Sequence, residues 1–204
     1  MKYSICVSGA ASGKTVELAH DMASKLGQII AKRGHILTTG ATVGLPYYAA
    51  VAASKAGGIS IGFSPASSLR EHAFKYNLPI GVYDFVNFTG MHYVGRDVHL
   101  VQSSDAIITV GGRFGSLHEF TTALESYMPC GVLLGSGGTA DVIPELMNRL
   151  EYESKKLVIF DTDPEELVDK IIKKLDEEFK DIDTHALKAR WAVPEKKESS
   201  GHKG

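Results

Sequence analysis

Glycine-rich turns carry most of the chemistry this chain could perform. The first, Ser8-Gly9-Ala10-Ala11-Ser12-Gly13-Lys14-Thr15, ends in the Gly-Lys-Thr of a phosphate-binding loop. That loop needs four residues between its first glycine and Gly-Lys-Thr so that backbone amides can wrap the phosphates; here Gly9 leaves three. No apolar run ending in aspartate stands ready to hold magnesium, so ATPase or kinase chemistry is not expected. A small-residue turn between a strand and a helix still offers free amides to an anion. Gly9, Ala10 and Ser12 are therefore candidate phosphate contacts.

The second turn, Thr38-Thr39-Gly40-Ala41-Thr42-Val43-Gly44-Leu45-Pro46, adds Thr39, Gly40 and Gly44, whose small size lets backbone approach a ligand closely. The third, Val110-Gly111-Gly112-Arg113-Phe114-Gly115-Ser116-Leu117-His118-Glu119, is the strongest. Gly111, Gly112, Arg113, Gly115 and Ser116 would line an anion pocket, and Ser116-x-x-Glu119 has the spacing of a helix capping box. Glu119 is thus either a cap or a carboxylate at the pocket, and spacing alone leaves both open. A fourth turn, Gly135-Ser136-Gly137-Gly138, completes a set in which several glycine-rich turns converge on one sheet edge. GxGxxG is missing from the first turn, which removes support for NAD or FAD chemistry. His118-Glu119 lacks the second histidine of HExxH, and GxSxG is absent, so neither a metal centre nor a serine hydrolase is expected. Tyr47-Tyr48 could stack on a base, although packing on a helix face is the simpler role.

The elements that must position these turns follow from periodicity. Apolar runs at Tyr3–Val7, Ile36–Thr39, Ile59–Phe63, Ile80–Phe85, Ala106–Val110, Gly131–Leu134 and Leu157–Phe160 read as strands. Between them Thr15–Arg33, Leu45–Ala56, Met91–Gln102, Ser116–Met128, Asp141–Glu151 and Pro164–Phe179 read as helices, the last opened by Asp163-Pro164. Strand–helix alternation predicts an α/β fold, a single doubly wound, mostly parallel sheet of Rossmann type with about seven strands and helices on both faces. A closed (β/α)₈ barrel takes about 250 residues and does not fit 204. The domain is expected over residues 1–182. Residues 183–204, ending PEKKESSGHKG, are expected to be a disordered polar tail.

With 22 Lys+Arg against 24 Asp+Glu the net charge is −2, giving no global field to draw in a nucleic acid. Cys6 and Cys130 each sit in an apolar run without a CxxC pattern, which predicts buried free thiols in a reducing compartment. No export signal and no apolar stretch of the ~18 residues needed to span a bilayer is visible, so the expected location is cytoplasmic. Leu45–Ala56 and Ser116–Met128 are apolar over more than one stripe, which predicts a homo-oligomer.

Three segments together resemble the Rossmann-like "lysine decarboxylase-like" nucleotide-binding family, whose characterised members are the Lonely Guy phosphoribohydrolases. The family's PGGxGTxxE is matched by Gly111-Gly112-Arg113-Phe114-Gly115-Ser116-Leu117-His118-Glu119, and its GGGxxG by Thr39-Gly40-Ala41-Thr42-Val43-Gly44. Arg96, nine residues before Asp105, matches the family's catalytic arginine. The resemblance runs from the first strand to about Leu175. This sequence has Gly111 where the hydrolases have proline, Arg113 where they have glycine, Ser116 for threonine, and Asp97 for the lysine after the arginine. Val110-Gly111-Gly112 and Ser136-Gly137-Gly138-Thr139-Ala140-Asp141 look instead like a second branch, with VGGGxGT and GTGGxAD segments, that includes proteins similar to the molybdenum-cofactor carrier.

The resemblance implies a ligand that is a nucleoside 5′-monophosphate or a phosphorylated pterin, bound without metal or other cofactor, by a homodimer or a dimer of dimers. It implies N-glycosidic hydrolysis, with Glu119 stabilising charge on the ribose and orienting water, and Arg96 pairing with Glu119 or the ligand and keeping that carboxylate ionised. The alternative is a carrier or sensor without turnover. A vestigial crevice on an oligomeric scaffold is the weakest reading. Decarboxylation has no support, because no Schiff-base lysine with pyridoxal-phosphate partners can be found.

Overall fold

Parallel strands buried on both faces need helices on both sides, and the chain supplies them in alternation. The structure, a computed structural model, describes residues 1–150 and 155–182. Its elements are β1 (Ser4–Gly9), α1 (Lys14–Lys32), β2 (Ile36–Thr39), α2 (Leu45–Lys55), β3 (Ile59–Ser64), α3 (Leu69–Phe74), β4 (Phe85–Phe88) and α4 (His92–Gln102). They continue with β5 (Ala106–Val110), α5 (Phe114–Glu125), β6 (Cys130–Leu133), α6 (Gly138–Arg149), a 3₁₀ turn at Lys155–Leu157, β7 (Val158–Asp161) and α7 (Pro164–Glu178). Among the described residues the seven strands form one sheet in the order β4-β3-β2-β1-β5-β6-β7, with every pairing parallel.

The chain winds outward from β1 to β4, then returns to lay β5 against the other side of β1, from Ile5↔Ala106 to Gly9↔Val110. Strand order reverses there, and in an open α/β sheet the ends of such a strand pair diverge into a crevice. Successive strand side chains point to opposite faces, so Ile5, Val7 and Ile108 enter one core with α1, α2 and α7. Cys6, Ile107 and Val132 enter a second with α4, α5 and α6. Each fully buried branched side chain contributes roughly 1.5–3 kcal/mol, which makes the β1–β5 seam a rigid base for whatever its upper ends hold.

Two elements depart from the sequence reading. The fourth strand, expected at Ile80–Phe85, is Phe85–Phe88. Residues before it are pinned instead to one β3 residue: Asp84 Oδ2 accepts from Ser60 N at 2.7 Å, and Ser60 Oγ donates to Val82 O at 2.8 Å. Ladder pairing therefore starts only at Ile61↔Phe85. The short helix α3 was not anticipated, although Ser68-x-x-Glu71 announces it; Ser68 Oγ accepts from Glu71 N at 3.2 Å.

The apolar helices cited for oligomerisation spend most of their apolar surface within this chain. Ala49, Ala50 and Ala53 of α2 are fully buried, and a methyl at Gly27 of α1 would lie 2.0 Å from Ala49 O, so the small residues serve close α1–α2 packing. Phe120, Ala123 and Leu124 of α5 lie in the second core. Tyr48 is half-exposed against His20, a packing arrangement on the helix surface. Cys6 and Cys130 are buried and free, and burial pushes both thiols up. Among the described residues no helix is long and apolar enough to cross a membrane. The polar tail at 183–204 lies outside the described residues.

Candidate functional site

A cleft of about 200 Å³ opens where β1 and β5 end. Its floor is a buried ion pair. Arg96, on α4, is 4% exposed, and Glu119, on α5, is 7% exposed. Arg96 Nη1 donates to Glu119 Oε1 at 3.3 Å, and Ser8 Oγ, from the end of β1, donates to Glu119 Oε2. Arg96 Nε is buried without a hydrogen-bond partner among the described residues. An orphaned guanidinium N–H is costly unless something fills the need, and here it belongs to a residue lining an open cleft.

Gly40 makes room for this guanidinium. A Cβ there would lie 1.8 Å from Arg96 Nη1, so the second turn is glycine because an arginine lies across it. Thr39 turns inward, donating to Tyr83 OH at 3.1 Å and accepting from Ala41 N at 3.1 Å; it shapes the turn without lining the cleft. Gly44 seats the start of α2 against the first turn, where Leu45 N donates to Ala10 O at 2.9 Å. Gly9 and Ala10 line the cleft directly.

The third turn differs from its sequence reading in one respect. α5 begins at Phe114, before Ser116, and its N-cap residue Arg113 provides no side-chain cap. Ser116 and Glu119 consequently do not form a capping box, because Glu119 lies inside the helix with its carboxylate turned toward Arg96 and Ser8. The first-turn amides of α5 are left uncapped, and Gly115 and Ser116 from that turn line the cleft. Gly112, at φ +101°, holds the turn in a conformation that side chains rarely adopt, and a Cβ there would lie 2.6 Å from Ser116 Cβ. Gly111 and Gly112 sit behind the pocket. Their carbonyls accept from Ala140 N at 2.9 Å and Thr139 N at 3.2 Å, tying α6 to the turn. Arg113 reaches across the mouth, Nη2 donating to Ser12 Oγ at 3.0 Å. Ser12 meets the site through that contact. The fourth glycine turn is closed by its own helix: Asp141 accepts from Gly135 N at 2.7 Å and Gly137 N at 3.0 Å.

Burial raises the Glu119 carboxyl and Arg96 opposes the rise, while nearby Asp97 adds to it; the net is a shift up to about 7. The expectation that Arg96 keeps Glu119 fully ionised is thereby corrected, since desolvation outweighs the guanidinium. Asp97 Oδ2 and His118 Nδ1 share a hydrogen bond at 2.9 Å. Asp97, Tyr93 and Thr42 line the cleft and were not foreseen as site residues. Only the pairing of Arg96-Asp97 with His118-Glu119, polar doublets on two helices that pack together, could have pointed to Asp97.

The SLOG cluster4 family model matches residues 2–168. The chain belongs to that family. An uncharacterized protein of Archaeoglobus fulgidus is 32% identical over 114 residues, 56% of this SLOG cluster4 chain and 70% of the relative. Among solved structures, the molybdenum cofactor binding protein of Rippkaea orientalis is 28% identical with TM-score 0.68, over 86% of this chain and 98% of that one. The Moco carrier protein of Chlamydomonas reinhardtii is 25% identical with TM-score 0.69, over 87% and 99%. The X-ray structure of TM1055, at 22% identity and TM-score 0.73 over 85% and 99%, shares the fold. These matches bear out the resemblance to the Lonely Guy-like family on its carrier-containing side.

Proposed function

We propose that the cleft binds a phosphorylated, nucleotide-like ligand and that Arg96 and Glu119 hydrolyse the N-glycosidic bond of a nucleoside 5′-monophosphate. The buried Arg96–Glu119 pair beside the uncapped start of α5 carries this reading, because it sets a carboxylate next to an anion site. Phosphate would sit on the amides of Gly115 and Ser116, where the helix dipole favours negative charge. The glycosidic bond would then lie toward Glu119. As that bond breaks, the ribose acquires oxocarbenium character, which a carboxylate stabilises. Water adds to the anomeric carbon, its proton goes to Glu119, and the base leaves with the bonding electrons and takes a proton from solvent. Because the carboxylate form is the active one, base release should rise with pH through about 7.

One observation favours a second reading, a carrier or sensor that binds a nucleotide or phosphorylated pterin without turnover. Arg113 spans the mouth to Ser12, where it would hold an anion yet crowd a ribose. The likeness to molybdenum-cofactor-binding proteins supports that reading equally. A panel of nucleoside monophosphates and a phosphorylated pterin, scored for thermal shift and released base, separates them. Stabilisation with base release supports hydrolysis, and stabilisation without release from any nucleotide supports the carrier. Equal shifts with unphosphorylated nucleosides would remove the phosphate assignment from both. A homodimer or dimer of dimers, implied by the resemblance, would use the exposed Tyr93, Val94 and Val98 of α4 together with Phe114, which is 89% exposed. A 22.0 kDa species in sedimentation at micromolar concentration would count against it.

A further inference from the structure

The floor of the cleft is a two-by-two arrangement. α4 contributes Arg96 and Asp97, α5 contributes His118 and Glu119, and the facing contacts are Arg96 with Glu119 at 3.3 Å and Asp97 with His118 at 2.9 Å. Asp97 Oδ1 also lies 3.5 Å from Arg96 Nη1, the same nitrogen that bonds Glu119 Oε1, so the two carboxyl groups meet at one guanidinium nitrogen and Asp97 helps to raise Glu119. Asp97 is buried, whereas the His118 side chain is 38% exposed. One end of this chain of contacts is therefore the cleft and the other is solvent.

Burial and a neighbouring carboxylate both favour a proton on Glu119, and a buried proton needs a route in and out. The groups facing Glu119 narrow the choice. Arg96 is permanently charged, Ser8 is a hydroxyl whose own proton is given to the carboxylate, and the Cys6 thiol behind it on β1 is held neutral by burial. Arg113 at the rim is likewise permanently charged and bonded to Ser12. That leaves Asp97 as the neighbour able to take the proton and His118 as the group able to exchange it with water.

We infer that Asp97 and His118 are positioning residues that form a proton path between Glu119 and solvent. A proton on Glu119 passes to the Asp97 carboxyl, whose Oδ2 gives it to the bare Nδ1 of His118 in its Nε2–H tautomer, and the resulting imidazolium releases its Nε2 proton to water. Charge and protons balance, since Glu119 ends as carboxylate and one proton has entered solvent. The path's use in resetting Glu119 after each water attack rests on the hydrolytic reading proposed above, whereas its existence is a property of the ligand-free protein.

The test separates the two. In the full chain, the ¹³C signal of the Glu119 carboxyl is followed through pH in wild type, Asp97→Asn and His118→Gln, with melting temperatures as the control for folding. Asp97→Asn is expected to lower the Glu119 midpoint and His118→Gln to raise it, each by about one pH unit, as for groups that titrate together. Adding imidazole to His118→Ala, whose half-exposed site can admit it, is expected to restore the wild-type midpoint. A Glu119 midpoint that is the same in wild type, His118→Gln and His118→Ala would overturn the path and leave His118 as a clasp between helices. Where base release is measurable, His118→Gln is expected to lower kcat about tenfold with KM unchanged, less than the ~10²-fold of direct proton transfer. A wild type that releases no base removes the hydrolytic reading alone, because the carboxyl titration still decides the path.

Discussion

Two helices that start on the same sheet edge begin in opposite ways. α7 is capped by its own sequence: Asp163 Oδ1 accepts from Glu165 N at 2.8 Å and Glu166 N at 3.0 Å, Pro164 occupies the first turn, and two glutamates face the dipole. α5 has none of this. Its N-cap is Arg113, its first turn holds no acidic residue, and its amides have no side-chain partner. A structural helix neutralises its positive end with covalently attached carboxylates. A helix end at the strand-order reversal is left open, and its need for negative charge is what the proposed anion site would use. At α6 the carbonyls of the third turn take the amides of Thr139 and Ala140 while Asp141 takes those of Gly135 and Gly137, which shows that a glycine-rich turn alone does not leave a helix end open.

The largest effect should come from Arg96→Ala. It leaves Glu119 and Asp97 buried without their cation, at a cost of about 3–5 kcal/mol in urea denaturation at pH 8. Part of that loss should return at pH 5, where Glu119 takes up a proton. A loss equally large at both pH values would mean that Arg96 acts by packing. Gly40→Ala should be next: its methyl displaces the guanidinium, and affinity for nucleoside monophosphate should fall about 10²-fold by calorimetry.

Arg113→Asp tests the comparison itself, since it gives α5 the cap that α7 has. Arg113 already holds the extended backbone of an N-cap, so the protein should gain about 0.5–1 kcal/mol while losing its thermal shift with nucleotide. A retained shift would mean that the anion does not bind there. The mirror change, Asp163→Ala, should cost about 1 kcal/mol and leave affinity untouched.

A separate test is the pH dependence of Glu119→Gln. A carboxyl raised to about 7 in the fold and near 4.5 when unfolded binds more protons in the native state between those values. Wild-type stability from this group is therefore complete below about 4.5 and falls as pH rises to about 7. The melting temperature of Glu119→Gln relative to wild type should accordingly climb from pH 5 to pH 8. A constant difference would place the shifted proton elsewhere.

Local pattern gave the bounds of β2 and β5 and placed β1 and α7 to within two residues, from apolar runs and from Asp163-Pro164. Pattern failed at Ile80–Phe85, where side-chain and backbone bonds to Ser60 outweigh an apolar run that would otherwise pair. It also left open a capping box at Ser116 and Glu119 and overlooked the similarly spaced Ser68 and Glu71. The same spacing caps a helix in one place and not in the other. At Ser68 the chain enters the helix with an extended residue whose hydroxyl meets the amide, whereas at Ser116 the helix has already begun two residues earlier.

Apart from Arg96, which the family resemblance implied, what the sequence determined by itself is the alternation of strands and helices, the glycine turns at the strand ends and the candidacy of Glu119. Those are properties of neighbouring residues and of spacing along the chain. Tertiary structure decided which turns open onto the cleft, that Gly40 accommodates Arg96, and that Asp97 and His118 lie beside that pair. Each of these depends on residues far apart in sequence meeting in a desolvated place. Burial there sets the protonation of Glu119, and burial is a property of the assembled fold that spacing along the chain does not encode.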